Sequence, residues 1–571
     1  MSDLAQQTAG PVPAAAPPRG GRAAFEPWTV GGLLLALALL APVAAVLWIA
    51  LFPQENIWPH LAETVLWRYV STTLLLMLGV GIVTSIVGTG TAWLVTMCRF
   101  PGRRLFEWAL LLPLAMPAYI IAFVYTDILE YAGPVQGALR DLFGWASPRD
   151  YWFPEIRSLG GAIAMMGLVL YPYVYMLARA AFLEQSVCVL EASRVLGRGP
   201  WGAFGTVALP LARPAIAVGV TLALMETLND FGTVDFFAVR TLTAGIYDVW
   251  FGMGNAGGAA QIASVMLVAV VALIGIERLA RRGRRFHHTS ARYRALPGHV
   301  LAGVRGWAAA TACALPLGLG FVLPAAALAG DAIRHAGGSW TPDFARLVWH
   351  SLGLAAGAAL IAVMAAAFLA YALRLHGNPL LRGAARLASL GYAVPGAVLG
   401  IGVLIPFAAF DNGLDAFLRA NFGISTGLLL SGSLAAVMGA YVVRFFAVSF
   451  GALEASLGKI APSVDMAART LGETPRGTLL RIHLPLMRGS LLAAAALVFV
   501  DCMKELPATL ILRPFNFETL ATHVYQFASS EQFAAASPAA LAIVAAGLIP
   551  VVLLSRAIAL ARPGHAPPRA G

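Results

Sequence analysis

The chain has 571 residues, more than one packed domain usually holds. Hydrophobic residues make up 59% of it and charged residues 12%, against about 25% charged in soluble globular proteins, and the mean hydropathy is +0.76. So few charges cannot cover a soluble surface, which excludes a soluble multidomain enzyme, a coiled coil and disorder, and leaves a polytopic membrane protein. The net charge of +11 is almost all arginine, since only Lys459 and Lys504 are lysines, and in a membrane protein it reports basic loops on one face rather than nucleic acid.

In chain order, residues 1–28 are rich in Ala, Pro, Gly and Gln and read as a disordered cytoplasmic tail. About 20 apolar residues are needed to cross the hydrocarbon core, and twelve runs qualify: 29–52, 69–97, 105–126, 158–183, 207–228, 257–277, 299–329, 347–373, 384–410, 426–449, 482–503 and 536–560. The first run exceeds the apolar core of a signal peptide and no small-residue cleavage site clearly follows it, so it reads as a retained helix. This gives an all-α integral membrane protein with a first half at 29–277 (core 68–277), a basic linker at 278–298, a second half at 299–560 (core 346–560) and a tail at 561–571. Pro113, Pro117, Pro172 and Pro395 fall inside runs, where they shape the path or kink the packing. The four cysteines, Cys98, Cys188, Cys313 and Cys502, have no metal-ligand or disulfide spacing. His287-His288 in the linker reads as a solvated loop pair rather than a metal site.

Arginine placement orients the spans. Arg99, Arg103 and Arg104, the linker's Arg278, Arg281, Arg282, Arg284, Arg285, Arg292 and Arg294, and the tail's Arg562 and Arg569 share one side if both termini are cytoplasmic. Acids such as Glu55, Asp127, Glu130, Asp141, Asp331, Asp411 and Glu531 fall mostly on the other, as the positive-inside rule expects.

The halves repeat each other. Met116-Pro117 matches Val394-Pro395 and Ala92-Trp93 matches Ala370-Tyr371, 278 residues apart. Gly197 and Leu209-Pro210 match Gly472 and Leu484-Pro485 at 275, and Thr241-Leu242 and Ile246-Tyr247 match Thr519-Leu520 and Val524-Tyr525 at 278. Six spans per half is an even number, so the repeats are parallel, with an axis along the membrane normal and a pathway between them.

The loop after the fourth run reads Glu191-Ala192-Ser193, three residues, Gly197, nine residues, then Val207-Ala208-Leu209-Pro210. The equivalent loop reads Met466-Ala467-Ala468, three residues, Gly472, nine residues, then Ile482-His483-Leu484-Pro485. Alanine favours a short helix, the glycines permit a positive-φ reversal, and proline fits the first turn of the next span. Both copies resemble the E-A-A-x3-G-x9-I-x-L-P loop of ABC importer permeases. That resemblance implies a type I permease in a bacterial inner membrane, whose two coupling helices dock on cytoplasmic ATPase subunits, a dimer, with Glu191 meeting a basic residue there. Met466 stands in place of the acid and Asp465 one residue earlier, so the two docking contacts are expected to be unequal. No Walker A sequence occurs, since Gly458-Lys459 is followed by Ile460. ATP and Mg therefore belong to the partner ATPase, and this chain binds no cofactor and is no enzyme on its own.

A closer resemblance rests on Leu112-Pro113 to Pro117, on the segment Glu226 to Phe237, on Thr243 to Tyr247, and on the segment Asp501 to Phe515 with its Lys504-Glu505-Leu506-Pro507-Ala508-Thr509. These are similar to the iron(III) branch of fused two-half permeases, which implies a periplasmic ferric-binding protein as partner. Relatives for thiamine, aminoethylphosphonate and polyamines share the architecture. Glu226 and Asp230 fall at positions equivalent to Asp501 and Glu505, and acids beside a span are candidates for a substrate path, joined here by Lys504. Carboxylates suit a hard cation. The same acids could instead cap helices or pair with Lys504, Arg240 and Arg513, and Lys504 could pair with Glu505 or hold an anion. A twelve-span secondary transporter is the competing class, but it needs no duplicated coupling loop and usually shows a mid-span charge relay, of which none is convincing here. No nucleophile–base or metal-ligand cluster supports a membrane-embedded enzyme.

Overall fold

A computed structural model describes residues 26–185, 195, 199–281, 299–335 and 341–560. Among the described residues, ten helices are long and apolar enough to cross a membrane, from Pro27–Leu51 and Leu66–Met97 at the start to Phe533–Val552 at the end. Two further apolar stretches are helix pairs bent at a short break: Arg103–Ala115 with Ala118–Phe143, at 91°, and Pro475–Leu486 with Arg488–Met503, at 77°. Each pair taken once gives twelve spans, numbered below in chain order with the bent ones as spans 3 and 11.

Three expected spans differ in detail. The 105–126 run is not one helix: a 3-10 turn at Leu112–Ala115 ends at Met116 (φ −93°, ψ 112°), and Pro117 opens a new helix, Ala118–Leu129. A residue before proline is pushed out of the α region, so the break is written into Met116-Pro117. The 384–410 run breaks identically. Helix Pro379–Ala388 and the turn Ser389–Ala393 precede Val394-Pro395, and span 9 runs from Gly396 to Phe422. The 482–503 run bends at Met487, between Leu484–Leu486 and Arg488–Met503.

The repeat extends to individual hydrogen bonds. Leu242 N donates to Thr73 Oγ1 at 2.9 Å, and 278 residues on, Leu520 N donates to Ser351 Oγ at 2.7 Å. Ser158 caps span 4 and Ser433 caps span 10. A π-helical turn precedes each Leu-Pro, at Phe204–Ala208 and Leu479–His483. Span 2 packs on spans 4 and 5, and span 8 packs likewise on spans 10 and 11. The leading spans bridge the halves: span 1 packs on span 6 of its own half and on spans 8 and 9 of the second, and span 7, Val304–Arg334, packs on span 12 of its own half and reaches spans 2, 3 and 4 of the first. A continuous apolar core therefore runs through both halves. Cys98–Arg99 pairs in parallel with His299–Val300, which sets the loop after span 2 beside the end of the linker. Cys98, Cys313 and Cys502 are buried free thiols; Cys188 and His287-His288 lie outside the described residues.

Candidate functional site: a charged cavity between the halves

Spans 5 and 11 end in the paired segments. Each is followed by a short turn helix, Gly232–Phe236 in the first half and Pro507–Leu512 in the second. These ends enclose a cavity of about 90 Å³ lined by equivalent positions from both halves: Glu226 and Asp501, Asn229 and Lys504, Asp230 and Glu505, Gly232 and Pro507, Val169 and Arg444. The five expected path residues thus converge on one site.

Their roles divide. Asp230 accepts from Thr233 N (2.9 Å) and Thr233 Oγ1 (3.0 Å), and Glu505 accepts from Ala508 N (3.0 Å), Thr509 N (3.2 Å) and Thr509 Oγ1 (2.8 Å). Both are caps of the turn helices, which a carboxylate stabilises by meeting otherwise unpaired N–H groups. Glu505 also meets Arg444 at 3.0 Å, with both side chains almost fully buried. Lys504 pairs with Asp501 at 2.9 Å rather than with Glu505, while Arg240 pairs with Asp248 and Arg513 with Glu518, away from the cavity acids. Glu226 accepts from Tyr392 Oη at 2.8 Å and Asn229 Oδ1 from Gly396 N at 2.7 Å, so span 5 is tied to the break before span 9. Gly396 is a close approach: a Cβ there would stand 2.5 Å from Glu505 Oε1 and 2.8 Å from Arg444 Nη1.

Two tyrosines at equivalent positions cross between the halves. Tyr247 donates to the carbonyl of Pro507, and Tyr525 donates to Asp235 Oδ2 at 2.6 Å. Each pins the turn helix of the opposite half. Sequence reasoning missed these two, Tyr392 and Arg444. An arginine inside apolar span 10, where the first half carries Val169, was the available signal.

At the other end of spans 5 and 11 lie the loops expected to couple. Glu191, Ala192, Ser193 and Gly197 lie outside the described residues. Leu209 starts the span 5 helix with Pro210 in its first turn, and Leu484-Pro485 does the same after the second loop. Met466, Ala467 and Ala468 sit on helix Pro462–Thr470. It ends with Gly472 at φ +81°, Gly472 N on Arg469 O and Glu473 N on Ala468 O, a Schellman turn that only a residue tolerant of positive φ closes cheaply. Met466 points out, 61% exposed. Asp465 is engaged within the chain, on Arg374 (Nη2, 2.5 Å) and 3.0 Å from His483, while Arg374 also donates to Leu457 O and Ile460 O.

An all-α bundle of two parallel six-span repeats, with a charged cavity on their common axis, defines a membrane permease. The family model for the inner membrane component of binding-protein-dependent transport systems matches residues 85–285. A Fe(3+)-transport system permease protein of Haemophilus influenzae is 27% identical over 505 residues, 87% of this chain and 90% of its own. The molybdenum transport system permease protein of Escherichia coli K12 is 30% identical over 180 residues, 30% of this chain and 75% of its own, and the sulfate transport system permease protein of that strain is 28% identical over 208 residues, 36% and 72%. The chain belongs to the family of inner membrane components of binding-protein-dependent transport systems. It is a multi-pass permease subunit of an ABC importer.

Proposed function

We propose that this permease imports ferric iron handed over by a periplasmic binding protein, with both termini cytoplasmic. Two ATPase subunits dock on the 184–206 and 459–481 loops and hydrolyse Mg-ATP there. The observation that carries the substrate is the extent of likeness: the Fe(3+) permease aligns with both halves, whereas the molybdenum and sulfate permeases cover 30% and 36% of the chain. The cavity adds to it, with four carboxylates against two cations in its lining. An excess of negative charge in a low-dielectric cleft concentrates cations and repels anions, and carboxylates are hard ligands. The exposed Met466 and the fixed Gly472 turn suit an apolar docking contact in the second loop, while Glu191 offers a carboxylate in the first.

The test is radiolabelled ferric uptake in a strain lacking other iron routes. Uptake should require this chain, and should fall when Glu226 and Asp501 are both neutralised at unchanged membrane expression. Intact ferric uptake after deletion, with loss of thiamine, aminoethylphosphonate or polyamine uptake, overturns iron and leaves the permease assignment in place.

A further inference from the structure

Lys504 is a cavity charge at a position that the other half fills with a neutral side chain. Asp230 and Glu505 are consumed in capping the turn helices, and Arg444 is wedged between Glu505 and the ring of Phe445. The position equivalent to Lys504 is the neutral Asn229, so this segment folds without a cation there. The Lys504 and Asp501 side chains are 25% and 21% exposed and both line the cavity. Glu226 lines it too and, among the described residues, has a tyrosine hydroxyl but no cation within ion-pair distance. Tyr119 also lines the cavity, on the side of Asp230 and Glu505, and its hydroxyl, on a residue 4% exposed, has no hydrogen-bond partner in the described structure, and a buried hydroxyl left unpaired marks room for a further polar atom. A lysine ammonium is a compact charge on a flexible stem, able to leave one carboxylate without dragging the backbone, as a fixed guanidinium is not.

We propose that Lys504 is a tethered counter-ion: its ammonium holds the place of the transported cation beside Asp501 in the empty cavity, and swings aside when a hard cation enters the cavity beside Glu226 and Asp501. Lys504 then offsets part of the cavity's negative charge when it is empty, and the substrate must displace an internal competitor. This rests on the cation reading above, but not on iron being the physiological cargo.

The test uses the full-length permease in lipid nanodiscs and Tb3+ as a hard trivalent probe, read by luminescence sensitised through the cavity tyrosines. Lys504→Asn, which copies the first half, should tighten Tb3+ binding by about tenfold or more, the scale of electrostatic focusing in a cleft. Lys504→Arg should not tighten it, and adding Glu226→Gln to Lys504→Asn should abolish the gain. A second measurement needs no variant. With only two lysines in the chain, Lys459 serves as an internal reference for amine acylation followed by mass spectrometry. Tb3+ should raise the acylation rate of Lys504 relative to Lys459. Unchanged or weaker Tb3+ binding in Lys504→Asn, or an acylation ratio indifferent to Tb3+, overturns the proposal. A positive result together with intact ferric uptake in the deletion strain keeps the counter-ion and removes iron.

Discussion

The two walls of the cavity come from copies of one segment, and they differ in charge far more than in geometry. Each copy ends a span, caps a turn helix with a carboxylate, and sends a tyrosine to the opposite half. Yet the second wall carries Arg444 and Lys504 where the first has Val169 and Asn229. The coupling end shows the same asymmetry: Arg374 and His483 hold Asp465, where the first half has Thr96, Ala208 and Leu190. The two copies share what the backbone demands, the caps, turns and proline breaks, and differ in the charges they carry.

The largest effect that could break this comparison lies at Arg444. Removing one partner of a buried ion pair leaves the other charge uncompensated, at about 3–5 kcal/mol, so Arg444→Met should lower the detergent-solubilised melting temperature far more than Asp230→Asn in the wall that has no cation. Equal shifts would mean that the two walls are held alike. Gly472 comes next. A β-branched residue at its positive φ costs about 1–2 kcal/mol locally, and Gly472→Val joined to Gly197→Val should abolish stimulated ATP hydrolysis in the reconstituted complex while the permease still inserts. Normal transport by that double variant would remove the coupling role of both loops.

The crossed tyrosines offer a finer comparison. Tyr525 donates to a carboxylate and Tyr247 to a carbonyl, and hydrogen bonds to charged groups contribute about 1.5–3 kcal/mol against about 0.5–1.5 for neutral ones. Tyr525→Phe should therefore speed amide exchange of the opposite turn helix more than Tyr247→Phe, as measured by hydrogen exchange with mass spectrometry. The smallest effect is expected at the ATPase contact. Glu191→Ala should weaken pull-down of the ATPase more than Met466→Ala, by no more than the ~1 kcal/mol of an exposed ion pair. Equal losses would place the two loops on the same footing, against the unequal surfaces they present.

The breaks in spans 3 and 9 were legible as Met116-Pro117 and Val394-Pro395, but the runs 105–126 and 384–410 were read across them, because hydropathy counts apolar residues and takes no account of dihedrals. The Gly472 reversal was legible too, since positive φ is a property of the residue itself. The four cavity acids were found through equivalence between halves, and Lys504 by its place among them; which of them cap a helix and which face the open space was not legible, because Lys504 can reach both Asp501 and Glu505 along the chain and only packing chose the first.

The sequence by itself determined the membrane class, the twelve crossings, the parallel repeat and the coupling-loop pattern, since each follows from composition, span length or local backbone preference. Tertiary structure alone decided how the leading spans reach across to the opposite half, the seating of Arg444 on Glu505 and the crossing of Tyr247 and Tyr525 between halves. The polar contacts among these join residues 61 to 290 positions apart, and no local preference encodes which distant partner a buried polar group will find.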